Sequence, residues 1–430
     1  MSTAIWRGDQ AAFFQTCTIA VTGTWATNDT ATLTINGKAI TVTLGSAYAA
    51  ADVAEVLGRA VNGSAVKGNE TRNTTGDLLG EWSGITASYA STTLTLTADV
   101  AGVPFTVTTS ENTAGDGELG DPSTTVTPKG PNELAAVNLT SGSLTPTNNT
   151  LVFQNTSVAC QYGLDQSSAG TWTELDIVST FTGDIGLPLI HSASPTSYYE
   201  YRGRYLQANA SKVVIGAGDG TGSGRILLDL GSVQSEVYVR KTATSSDTGY
   251  HALQLKGTHA SNTLYVDGGT VDIAPYGGET AVVSAATVAG SGELRISTGT
   301  TLGALEVLGS GVVEIDSLAA GADITSITIR DSADVTVHGT NAITTVNVYG
   351  GTFRPLGTYT VATVKVGAAG KVDTTGSTGT VTFTNTECEA KAQILDTGNH
   401  IVFTNAIDLG LAGLEDVTLK LGKGINVLPS

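Results

Sequence analysis

The sequence predicts a mainly β chain: a small N-terminal α+β module followed by a right-handed β-helix, that is, a β-solenoid. Three observations predict it. One pattern (apolar, two residues, apolar, one residue, apolar) recurs at Val283-Ala286-Val288, Leu302-Leu305-Val307, Ile324-Ile327-Ile329, Ile343-Val346-Val348 and Val361-Val364-Val366. Its starts lie 19, 22, 19 and 18 residues apart, the period of stacked coils rather than of one globular core. A second, shorter apolar alternation follows most copies, at Leu294-Ile296, Val313-Ile315 and Val335-Val337, so each coil supplies at least two strands with one face inward. The composition agrees: 14% of residues are charged and Gly contributes 53 of 430, a turn-rich β profile. The right hand follows the look of such coils; the periodicity does not fix it.

Taken in order, residues 10–35 read as strands, with Cys17-Ile19-Val21 and then Ala31-Leu33-Ile35. Asn36-Gly37 signals a hairpin into Ile40-Val42-Leu44. Ser46 is the expected cap of a helix reaching about Asn62, with Val53, Val56, Leu57, Ala60 and Val61 on its apolar face. Strands follow at Ile85–Tyr89 and Thr93–Ala98, and Ala101-Gly-Val-Pro104 turns the chain into Phe105-Thr-Val107. Residues 109–132 are rich in turn formers and read as a linker. This gives a ββαββ anchoring module with its linker over 1–130 and a solenoid over 131–430. An insertion near 187–205 breaks the coil pattern.

The run Ala31-Thr-Leu-Thr-Ile-Asn-Gly-Lys38, the Ala-rich helix, Thr93-Leu-Thr-Leu-Thr97 and Ala101-Gly-Val-Pro-Phe-Thr-Val107 resembles a small module of tailed-phage and prophage structural proteins. The resemblance covers about a quarter of the chain. It implies a virion protein assembled in the host cytoplasm, with other capsid or tail proteins as partners. The expected function is a non-enzymatic structural protein on the particle surface, most simply capsid decoration. The alternative is a tail fibre, tailspike or baseplate component that binds or cleaves host-surface glycan.

Charge and composition exclude several classes. A net charge of −18 makes nucleic acid an unsuitable partner, because phosphates need a basic surface. No apolar run of 18 residues is present, so no membrane span is expected. The first nine residues do not read as a secretory signal. Cys17, Cys160 and Cys388 lie far apart and read as reduced core residues, without a disulfide framework or a zinc site.

The candidate chemistry is acidic. Sugar-cleaving β-helices place two carboxylates on one face, and Glu174 with Asp176, Asp229, Asp267 with Asp272, and Glu314 with Asp316 are the candidates here. Each alternates with apolar residues, which is also the pattern of a solvated outer strand, and they are read that way. Gly216–Gly224 lacks the following helix of a phosphate loop and reads as a turn. His191, His251, His259, His338 and His400 show no metal spacing, and Arg7-Gly8-Asp9 is a chance tripeptide. No catalytic residue, cofactor or metal is expected. Tyr198, Tyr199, Tyr201, Arg202, Arg204 and Tyr205 concentrate aromatic and guanidinium groups in the insertion. That mixture suits a subunit interface, and a homotrimer is the expected assembly.

Overall fold

A computed structural model describes residues 2–73, 84–124, 130–146, 149–166, 170–187, 204–243, 250–275, 278–410 and 416–422. Two long parallel sheets dominate it. Sheet I stacks Thr150–Phe153, Trp172–Ile177 and Ala210–Ile215, and continues coil by coil to Val381–Cys388 and Ile401–Phe403. Sheet II stacks eleven strands from Leu206–Gln207 to Thr418–Leu421. From Trp172–Ile177 to Val381–Cys388 each coil gives one strand to each sheet, and the pairings within the stack are parallel and in register. At about 4.8 Å per coil, eleven strands make a stack about 50 Å long.

The recurring pattern now has a physical reading. In Ala281–Val288, positions 281, 283, 286 and 288 are buried, while Ser284 and Ala285 are both partly exposed. The inward–outward alternation slips at this pair, and the strand turns from one side of the coil to the next. Leu302 and Leu305 repeat the slip one coil later, paired with Val283 and Ala286. The two-residue gap is therefore a corner.

Inward positions form continuous columns. Leu305, Ile327, Val346 and Val364 are consecutive partners and at most 2% exposed. A parallel column runs Val288, Val307, Ile329, Val348, Val366 and Cys388. In sheet II, Leu294, Val313, Val335, Phe353, Val372 and Ile394 do the same. Cys388 thus occupies a valine position. All three cysteines are free and buried, and burial pushes the Cys388 thiol up to about 11.

The N-terminal module has its own core, separate from that of the solenoid. Thr30–Ile35 and Lys38–Thr43 form the expected hairpin, with Asn36 and Gly37 both at positive φ, as a tight two-residue turn requires. The helix Ala50–Val61 buries Val53, Val56, Leu57, Ala60 and Val61. Its start differs from expectation. Tyr48–Ala49 pairs with Thr24–Trp25 as a short strand, so the helix begins beyond Ser46. The Asp52 carboxylate accepts the Ala49 N–H at 3.2 Å.

Two further expectations about the module are corrected. The segment read as a linker completes its sheets: Val107–Asn112 pairs with Thr30–Ile35, while Glu118–Leu119 and Ser123–Thr124 pair with Thr16–Thr22. The module also does not own the N-terminus. Thr3–Trp6 lies in sheet I, parallel to Thr150–Phe153 and antiparallel to Leu139–Ser141. Ala4 and Trp6 head the two inward columns through their partners Leu151 and Phe153, and Trp6 packs on Phe153 and Phe181 at 5.3 and 6.3 Å between ring centroids. The module is thus an insertion within the base of the solenoid.

Fully buried Asn138 ties this junction. Its carbonyl accepts the Arg7 N–H at 3.0 Å and its Oδ1 the Gln10 N–H at 2.9 Å. Its Nδ2 donates to the carbonyls of Gly130 and Glu133.

Replacing Ile327 by Asp should destabilise the protein by about 3–5 kcal/mol, because the column leaves the carboxylate no partner; urea unfolding followed by circular dichroism reads this. Tyr359 gives the opposite test. It is 6% exposed, burial raises its phenol pKa, and its hydroxyl has no hydrogen-bond partner among the described residues. Tyr359→Phe should therefore raise stability by about 1 kcal/mol in the same measurement.

Candidate functional site

Because the inner faces are filled, polar side chains stand on the outer faces, in rows set by the strand register. On sheet I one row is Glu174, Lys212, Glu236, and the adjacent row is Asp176, Val214, Tyr238, Tyr265. Glu174 and Asp176 therefore share a face, as a carboxylate pair requires. Their environments differ. Lys212 Nζ lies 3.0 Å from Glu174 Oε1. Asp176 is half-buried between Val152 and Val214, each only 7% exposed. Burial, and then the charge of Glu174, raise its pKa. Beside them the rings of Tyr238 and Tyr265 stack at 4.8 Å and 8°, and Tyr238 Oη donates to Glu236 at 3.2 Å.

Three of the remaining acidic candidates, Asp229, Asp272 and Glu314, are held by partners. Asp229 meets Lys256 at 3.4 Å and accepts the Gly231 N–H. Asp272 is fully buried; it accepts the His251 N–H at 2.8 Å and faces His251 Nδ1 at 3.0 Å. Burial alone would lower the His251 pKa, but the hydrogen bond and charge of Asp272 outweigh it and raise it. Asp267 is exposed, so the structure does not give it the environment of Asp272. Glu314 meets Arg295 at 3.5 Å, and Asp316 lies beyond the end of its strand.

A Cβ on Gly220 would lie 2.1 Å from the Ser179 carbonyl oxygen, so the glycine run is a tight turn around buried Ser179, whose Oγ accepts the Gly220 N–H. Gly8, between Arg7 and Asp9, is buried with φ +68°. His400 Nδ1 lies 2.9 Å from the Gly379 carbonyl, and among the described residues no three metal-binding side chains cluster. His191, Tyr198, Tyr199, Tyr201 and Arg202 lie outside the described residues. Arg204 and Tyr205 flank that segment. The Arg204 carbonyl accepts the Leu187 N–H, and Tyr205 is buried with Lys256 Nζ 4.4 Å from its ring centroid. Tyr205 is thus engaged with its own solenoid.

Sequence reasoning missed the cations that complete these rows. On sheet II, Gln254, Asp272, Arg295, Glu314, Thr336 and Arg354 are successive register partners. Arg354 Nε donates to both Asp334 oxygens at 3.1 Å, and Lys371 Nζ reaches Asp373 at 2.6 Å. The available signal was weak, because opposite charges recur at unequal coil lengths and Lys371 and Asp373 are neighbours within one strand. Asp396 was missed too; fully buried, it accepts from Thr374 Oγ1 and from the N–H groups of His400 and Ile401.

Burial works against the Asp373 charge, but the Lys371 and Thr375 hydrogen bonds outweigh it and hold the carboxyl at about 2. A depressed folded-state pKa stabilises above the unfolded value and is lost as pH falls through the folded one. Wild type should therefore lose about 2 kcal/mol more than Asp373→Asn between pH 4 and pH 2 in urea unfolding.

Among the described residues no helix is long and apolar enough to cross a membrane. Comparisons of the chain with protein-family models, with curated proteins and with solved structures each returned no match.

Proposed function

We propose that this chain is a non-enzymatic structural protein displayed on the surface of a phage particle, where the N-terminal module anchors and the solenoid projects. One observation carries the non-catalytic part of the reading. Most of the carboxylates that an enzyme of this architecture would use are engaged in the fold: Glu174 with Lys212, Asp229 with Lys256, Asp272 with His251, and Glu314 with Arg295. Asp176, with its raised pKa, lies on an open sheet face. General acid–base chemistry on a sugar needs two carboxyl groups, and Glu174, which shares the face of Asp176, is ion-paired with Lys212. The phage assignment is supported by the module's sequence resemblance. Its separate core and two chain connections to the base coil suit an attachment unit. Capsid decoration is the preferred position.

The test is immunogold electron microscopy of gradient-purified particles with an antibody against the solenoid, alongside sugar-release assays on purified protein. Regularly spaced label on intact capsids and no sugar release are the expected results, with Glu174→Ala and Glu314→Ala incorporated as wild type. Absence of the chain from intact particles overturns the virion assignment. Sugar release abolished by Glu174→Ala or Glu314→Ala overturns the non-enzymatic one.

A further inference from the structure

The Tyr238–Tyr265 stack ends abruptly. Tyr265 lies in register with Thr287, and Thr287 with Glu306. One face of the Tyr265 ring is covered by Tyr238; Tyr265 is 36% exposed, and among the described residues no other ring or cation covers it. The next position along the row is only a threonine. The adjacent row is smaller still, with Ala285 and Ala304 beside Thr287 and Glu306. Beyond Thr287 the surface rises again: Arg330 Nε meets Glu306 Oε1 at 3.0 Å, and the Arg330 guanidinium lies over Tyr349, 5.0 Å from its ring centroid.

These positions define a shallow slot with an aromatic wall, a floor of small side chains and a wall of carboxylate and guanidinium. Tyr265 and Glu306 stand two coils apart, about 9–10 Å, which leaves room for one saturated six-membered ring between them. The stack spacing of 4.8 Å shows how the occupant would sit, as one more ring parallel to Tyr265. We propose that this slot binds a neutral pyranose unit of a glycan. The sugar's C–H face would lie on Tyr265 and its hydroxyls would meet Glu306, Arg330 and Thr287. An aromatic face opposite planar polar groups suits a ligand with one apolar and one hydrogen-bonding side. The chain's charge of −18 disfavours an anionic polymer. The proposal goes beyond the structural role and does not depend on where the protein sits in a particle; particle labelling and sugar binding fail separately.

The experiment is saturation-transfer NMR and titration of the full chain with neutral hexasaccharides of glucose, mannose and N-acetylglucosamine. At least one should bind. Tyr265→Ala should weaken it at least tenfold, and Thr287→Trp, which fills the slot from an outward position, should do the same. Tyr349→Phe, which keeps the ring under Arg330, should bind as wild type, and circular dichroism should show all variants folded. Binding that survives both Tyr265→Ala and Thr287→Trp overturns the proposal, as does the absence of binding by all three sugars.

Discussion

In-register parallel stacking is the constraint on which the rest of this protein depends. Once Leu305 pairs with Ile327 and Ile327 with Val346, every neighbouring position in those coils is assigned to the core or to the surface. A one-residue slip would turn a whole apolar column outward. The backbone ladder and the apolar columns therefore specify the same register, and each coil copies it to the next. The corner at Ser284–Ala285 is part of that copy, since its slip recurs at Gly303–Ala304 in the paired strand.

The same register organises the surface. A side chain on an outer face meets the residue about one coil before it and the one about a coil after it. Thus Arg295 bridges toward Asp272 and Glu314, and Arg354 toward Asp334 and Asp373. Exposed pairs of this kind contribute little individually. Like charges on adjacent coils, however, would repel at strand spacing. The cations among an excess of acidic residues therefore keep a strongly anionic chain compatible with tight stacking.

What was legible in the sequence follows from these facts. The coils from Val283 to Val366 were readable because the core asks the same question at each turn and receives an apolar side chain, most often Val, Ile or Leu. The hairpin at Asn36-Gly37 was readable because its geometry demands those residues. The role of Thr3–Trp6 was not: four residues with no repeated copy find their partner 147 positions away. Ser46 looked like a cap, but the strand at Tyr48–Ala49 claims the backbone that a longer helix would need. The charged rows were hidden for a related reason. Coil lengths vary, so partners such as Asp272 and Arg295 share no fixed spacing until the register is known.

Threading the first strand into the base coil has a mechanical consequence. A domain joined to a rod by a single linker swivels about it, and a pull on that domain loads one covalent path. Here the chain leaves the rod after Trp6 and returns before Leu139, and Asn138 fastens both crossings together. Twist applied to the module is resisted by two strands rather than one. A pull on it enters the rod through both Thr3–Trp6 and Leu139–Ser141, which are paired with each other in sheet I, so the load is shared by two strands from the start.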